Sequence, residues 1–437
     1  MRVGSIVLLL CVSSSEGFSV DAGDSSGSKI SFDALKDKKV LVVGGSGRVG
    51  GSIVTQLTLR GAQVTVGGRR SNDDKKFARV KSRWASLIPE IKDNLQKVDY
   101  MTMDREVASS VRAEAFDLVV HTAGPFQGKI KSHNGVLEAC CEAKVPYLDV
   151  CDDFCTASAA KTRFSHQARA PCIISTGCWP GVSSLMAKQL VEQVLQKETS
   201  LKPQDLTVDF AFFTAGSGGA GDTLLVATFL ILAEKALTVV NGRRQLVDAM
   251  KDYSRINFGP RIGSKEVAHL NLLETASIAD NLGIGNVKSL FGTAPGFWNA
   301  LLGTMAQLPS SLLANESLMR KLSVFSMPIV RLVDAFAGAT NAMRVDVSCA
   351  KMPDLRATAI YAHENLEPCV GESVTAFAAA ILTTNKVEPG VWFPEEAITD
   401  AADTAAVLHL ASAGAHTTLV DTSYASTREE VWGGNLT

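Results

Sequence analysis

From Lys38 to about Leu190 the chain alternates two kinds of apolar pattern. Short continuous runs occur at Lys39–Val43 (KVLVV), Gln63–Val66, Asp117–His121 (DLVVH), Tyr147–Val150 and Pro171–Ser175. They are too short for helices and lack polar alternation, which predicts parallel strands covered on both faces. Between them, apolar positions fall at helical spacing. Val49, Ile53 and Leu57 recur every four residues and define one buried helix face, closed by Gly61 as a C-cap. Asn134–Cys141 reads as a second helix, and another starts near Ser183 after the turn TGCWPG. This alternation predicts an α/β chain built on a doubly wound sheet.

From Leu206 the pattern turns to sheet. LTVDFAFF sets Val208, Phe210 and Phe212 on one face, and Ala342–Val347 and Arg356–His363 supply two further strands. Glu372–Leu382 reads as a helix. The longest apolar run, Thr223–Val240, is broken by Glu234 and Lys235 and reads as a buried helix, not a membrane span.

The first strand–helix junction, KKVLVVGGSGRVGG, carries G-x-G-x-x-G at Gly45, Gly47 and Gly50. Gly45 is expected to make the tight turn, Gly47 to admit a pyrophosphate and Gly50 to let helix and strand pack closely. Such a loop after a strand and before a helix, with a second strand following at once, points to a dinucleotide. A glycine turn that only packs is the alternative. At the end of the second strand an NAD enzyme would place Asp or Glu on the ribose 2′-hydroxyl. Here VTVGGRR places Gly67, Gly68, Arg69 and Arg70 there, and two guanidiniums suit a 2′-phosphate. NADP(H) is therefore the expected cofactor, against the reading of a solvated basic loop. The turn TAGPF, with Gly124 and Pro125, falls beside the glycine loop at the carboxyl ends of the strands.

Familiar catalytic signatures are missing. No tyrosine is followed four residues later by lysine, and there is no G-x-S-x-G, H-E-x-x-H or P-loop. Hydride transfer needs chiefly positioning and one acid or base. Candidates at strand ends are His121, Asp152 and Asp153; equally, His121 is a structural strand histidine and the aspartates cap the next helix. Cys151 is reactive only if its pKa is lowered. Trp179, Ser183 and Ser184 lie where a helix N-terminus receives a carboxylate. The loop GSGGAGDT, with Gly218, Gly219 and Gly221, allows close backbone approach of a ligand, and Asp222 or Thr223 caps the following helix. Substrate is expected between these two segments.

At 437 residues and 46% hydrophobic, the chain can bury two cores. A net charge of -2 gives no case for nucleic acid or an anionic membrane. The nine cysteines form no C-x-x-C and none stands at zinc spacing with histidine, so neither a disulfide framework nor a metal is expected. Arg2, the apolar run Ile6–Val12 and the small residues before Phe18 read as a secretory signal over 1–17. A Ser-, Gly- and Asp-rich linker or transit stretch follows over 18–37. Nucleotide cofactors are scarce outside cells, so a plastid reached through the secretory route is the expected compartment. The secretory pathway itself is the alternative, and Asp21 and Asp24 run against a transit peptide.

VLVVGGSGRVGG, VTVGGRR, HTAGPFQG, VLEACCEAKVPYLDVCDD, GCWPGVSSLMA, TAGSGGAGDTLL, FGTAPGFWN, MRVDVSC and PGVWFPEEA together resemble saccharopine dehydrogenase-like oxidoreductases, the plastid-type members of plants and algae above all. The resemblance runs from Lys38 to Glu396. It implies an NADP-binding Rossmann domain (38–190), an inserted second α/β domain with a mixed sheet (191–369), a C-terminal segment returning to the first (370–437), and a homodimer. It further implies that Gly45, Ser46, Gly47, Arg48 and Val49 form the phosphate loop. Arg69 and Arg70 match the adenosine-phosphate site, and Ala123, Gly124 and Pro125 the loop near the nicotinamide ribose. The implied activity is hydride transfer to or from a small C=N, C=O or enoyl substrate, which the resemblance does not specify. Saccharopine itself is a weaker reading, since the shared motifs are those of cofactor and fold. The competing class is a non-catalytic NADP-binding regulatory or assembly protein.

Overall fold

The computed structural model describes residues 27–69, 73–216, 222–337 and 339–421. The signal and most of the linker, Arg70, Gly218, Gly219, Gly221 and the segment from 422 onward lie outside the described residues.

Six strands precede residue 180: β1 (Lys39–Val43), β2 (Gln63–Gly68), β3 (Asp99–Thr102), β4 (Leu118–His121), β5 (Tyr147–Asp149) and β6 (Pro171–Ile173). Later in the chain come β7 (Leu206–Ala215), β8 (Ala236–Val240), β9 (Arg243–Val247), β10 (Ser254–Asn257) and β11 (Ser264–His269). The last are β12 (Asn286–Ala294), β13 (Thr340–Cys349), β14 (Met352–His363), β15 (Gly390–Trp392) and β16 (Thr417–Asp421).

The first sheet is seven-stranded, in the order β15-β6-β5-β4-β1-β2-β3. All its pairings are parallel. Strand order reverses between β1 and β4, so a crevice opens beyond their carboxyl ends, where ligands bind in such sheets. β3 and β15 have no counterpart in the apolar pattern. β3 is a half-exposed edge, and β15 is only three residues long.

The second sheet is mixed and nine-stranded, with its main path β10-β11-β12-β7-β13-β14-β16. β12 runs parallel to β7, while β13, β14 and β16 are antiparallel to their neighbours. Val208, Phe210 and Phe212 on β7 point into the main core, and Ala211, Phe213 and Ala215 into a smaller core on the other face. The helix Val182–Lys197 follows the first sheet in sequence yet packs on β13 and β14, which makes the main core continuous between the sheets.

The run Thr223–Val240 is not one helix. The helix Asp222–Ile231 ends early, and Ala236–Val240 is β8, hairpinned to β9. Asn241 and Gly242 at the turn have φ of 51° and 72°, the left-handed pair that closes a two-residue hairpin. The C-terminal segment divides. Helix Leu366–Leu382 lies on helix Arg48–Leu59, where a Cβ on Gly371 would sit 2.4 Å from the Ser52 hydroxyl. β15 extends the first sheet beside β6, whereas β16 joins the second sheet on β14. Among the described residues no helix is long and apolar enough to cross a membrane.

Candidate active site

A cleft opens at the carboxyl ends of β1, β2 and β4. Ser46, Gly47, Arg48, Val49 and Gly50 line it, as do Arg69, Ala123, Gly124 and Pro125. The helix Arg48–Leu59 starts at its floor, and its N-cap, Gly47, provides no side-chain cap for the first-turn N–H groups. Those donors and the positive end of the helix suit a pyrophosphate.

The glycines divide their work differently from the expectation. The left-handed turn falls on Gly44, at φ 86°, where a Cβ would lie 2.9 Å from the Ala123 backbone. Gly45 does not line the cleft; a Cβ there would meet Val66 at 2.8 Å, so its smallness lets β2 pack. Gly50 fits its expected part, since a Cβ would come within 2.4 Å of the Gly44 carbonyl oxygen.

At the far end of the cleft Arg69 is joined by Arg105, which the motif reading missed. Arg105 donates to the Ala123 carbonyl, and burial, then the Arg69 charge, lower its pKa, with Glu106 opposing. Two cations held close together are relieved by an anion of two charges. A Cβ at Gly67 would lie 2.6 Å from the Met103 sulfur, so a ribose-binding carboxylate there would require Met103 to move. The residues therefore fit NADP(H). Arg48 is tied to Glu367 at 3.2 Å, and Arg83 reaches the same carboxylate at 2.7 Å.

The three catalytic candidates separate once packed. His121 is fully buried beneath the cleft, its Nδ1 3.2 Å from the Tyr147 hydroxyl. Burial, reinforced by His133, holds its pKa well below the ordinary value, so it stays neutral, and it does not line the cleft. Asp153 caps helix Phe154–Phe164, accepting from the Thr156 backbone N–H at 3.2 Å and its hydroxyl at 2.5 Å. Both residues thus take the structural alternative. Cys151 is buried, and burial raises its thiol pKa well above the usual range, which removes it as a nucleophile. Asp152 alone lines the cleft. Burial pushes its pKa up to about 6, against the pull of a hydrogen bond from Gln127.

Asp152 also lines an adjoining chamber, and Val49, Val150, Leu224 and Ala227 are walls of both spaces. Trp179 lines the chamber, stacked on Phe212 at 4.9 Å with its Nε1 donating to Asn341 at 3.0 Å. Ser183 and Ser184 do not receive a ligand carboxylate. Both are fully buried, and the Ser183 hydroxyl donates to Glu274 at 2.8 Å. Glu274 was not singled out by sequence, because an acid in the first turn of a helix (here Leu273–Leu282) normally marks an exposed N-terminus. It is instead 1% exposed on the chamber wall, with Oε2 unpartnered, and burial pushes its pKa up to about 7. Asp222 begins the helix that follows the glycine-rich loop, and Thr223, Leu224 and Ala227 of that helix face the cofactor cleft.

Residues 40–172 match the family model described as the saccharopine dehydrogenase NADP binding domain. The fold is similar to that of apo saccharopine dehydrogenase (L-Glu forming) from Saccharomyces cerevisiae, with a TM-score of 0.53 and 13% identity over 84% of this chain and 96% of that one. A short-chain dehydrogenase from Oenococcus oeni matches with a TM-score of 0.25 and 15% identity over 32% of this chain and 76% of that one. No curated protein matches by sequence. Residues 40–172 thus match a saccharopine dehydrogenase NADP-binding domain, in a chain whose fold is similar to that of the yeast saccharopine dehydrogenase.

Proposed function

We propose that the chain is an NADP(H)-dependent oxidoreductase acting on a C=N, C=O or enoyl bond. The carrying observation is that the cofactor cleft and the adjoining chamber share a wall at which Asp152 stands. When bound, NADPH supplies the hydride. Reduction also needs one proton, delivered to the oxygen, nitrogen or enoyl carbon of the acceptor. Asp152, with a pKa of about 6, holds such a proton in part of the molecules near neutrality and takes it back in the reverse direction. Most residues lining the chamber are apolar, which disfavours water beside the reacting atoms.

The test is a titration of NADPH and NADH against the purified chain and its Arg69→Ala variant. The expected result is a preference for NADPH of about tenfold or more, roughly 1.4 kcal/mol, that the variant loses. Absence of binding to either nucleotide refutes the reading. Once a substrate is found, Asp152→Asn should lower kcat with NADPH affinity unchanged, and full turnover would remove the acid role.

A further inference from the structure

Thr214, Leu224, Thr228 and Phe291, on the wall of the chamber beside Asp152, also line a second cavity, so the two spaces adjoin at these residues. The second cavity runs under the helices Gly296–Met305 and Glu316–Ala337, bounded by Trp298, Leu302 and Met327. Among the described residues lining either cavity there is no Lys, Arg or His. The carboxyl groups among them, Asp152 and Glu274, both stand in the cavity nearer the cofactor cleft.

These features select a chemistry. A reactant carrying carboxylates would lose its hydration here, meet no cation among the described lining residues and be repelled by whichever of the two acids is ionised, an arrangement that costs binding. A hydrocarbon chain loses nothing polar and gains the burial of each methylene. We infer that the reactant is a neutral molecule with an aliphatic tail, its reacting double bond beside Asp152 and its tail running past Thr228 into the cavity at Trp298. This rests on the cofactor reading above for which end reacts, but not for what the space accepts.

The test uses the purified full chain and straight-chain methyl ketones from butanone to 2-dodecanone, with glutarate as the charged comparator. Binding is followed by calorimetry and by tryptophan fluorescence, since Trp179 and Trp298 line the space. Affinity should rise up to roughly fourfold per added methylene, and glutarate should not bind. Thr228→Trp, at the junction of the cavities, should stop the rise at short ketones while NADPH binding is retained; continued rise in that variant would overturn the path assigned to the tail. Affinity independent of ketone length, or glutarate binding as tightly as the long ketones, would overturn the inference outright. NADPH titrated into the same samples separates the two readings. Length dependence without NADPH binding refutes the cofactor reading alone, and NADPH binding without length dependence refutes the chamber alone.

Discussion

Replacing Glu274 by glutamine tests whether a buried acid borders the chamber. Glutamine keeps the shape and the oxygen that accepts from Ser183, but removes the ionisation. Burial raises the Glu274 pKa from 4.5 to about 7, with the nearby charges of Glu395 and Asp152 adding to it. Between those values the folded chain holds a proton that the unfolded chain has lost. The stabilisation is therefore fully present below pH 4.5 and disappears as pH rises through about 7. A shift of that size corresponds to about 3 kcal/mol, as an order of magnitude, lost between pH 4.5 and 8. Glu395 and Asp152 have raised values too and titrate the same way, so the informative quantity is the difference between wild type and variant. Urea unfolding at half-unit pH steps should show Glu274→Gln gaining on wild type by up to that amount as pH rises. Parallel stability curves across the range would refute the burial argument.

Three further outcomes are expected. Arg105→Ala should weaken NADPH by about tenfold while leaving NADH affinity unchanged, because Arg105 stands beside Arg69 at the expected position of the extra phosphate; equal loss for both nucleotides in calorimetric titration would assign Arg105 to the fold instead. Gly50→Ala drives a Cβ to 2.4 Å from the Gly44 carbonyl oxygen, so it should destabilise the domain by about 1–3 kcal/mol and abolish NADPH binding, read by urea unfolding and titration. A fluorescent fusion of residues 1–40 should accumulate in plastids, and its appearance at the cell surface would place the chain in the secretory pathway.

Much of the first sheet was legible because its signals are local. KVLVV, DLVVH and their counterparts are short runs bounded by turn residues, and each fixes a buried strand by its own composition. The cofactor loop was legible for the same reason, although its turn glycine is Gly44, one residue before the motif begins. The hairpin at Asn241-Gly242 carried a signal as plain as any in the chain, but the apolar run before it has the composition of a helix as well as of a strand. Whether such a run is helix or strand depends on partners, here β9 and β12, that lie outside the window.

The site chemistry divides along the same line. Sequence alone located a candidate dinucleotide loop at a strand–glycine–helix junction and showed that arginine, not a carboxylate, stands at the end of β2, because both depend on residues adjacent in the chain. Only the tertiary structure decided which acids matter. Asp152 and Asp153 are neighbours, yet one faces the cleft and the other caps a helix. Ser183 and Glu274 are 91 residues apart, yet they share a hydrogen bond at the chamber wall. Burial and charge environment arise from segments distant in sequence, so no local pattern encodes them.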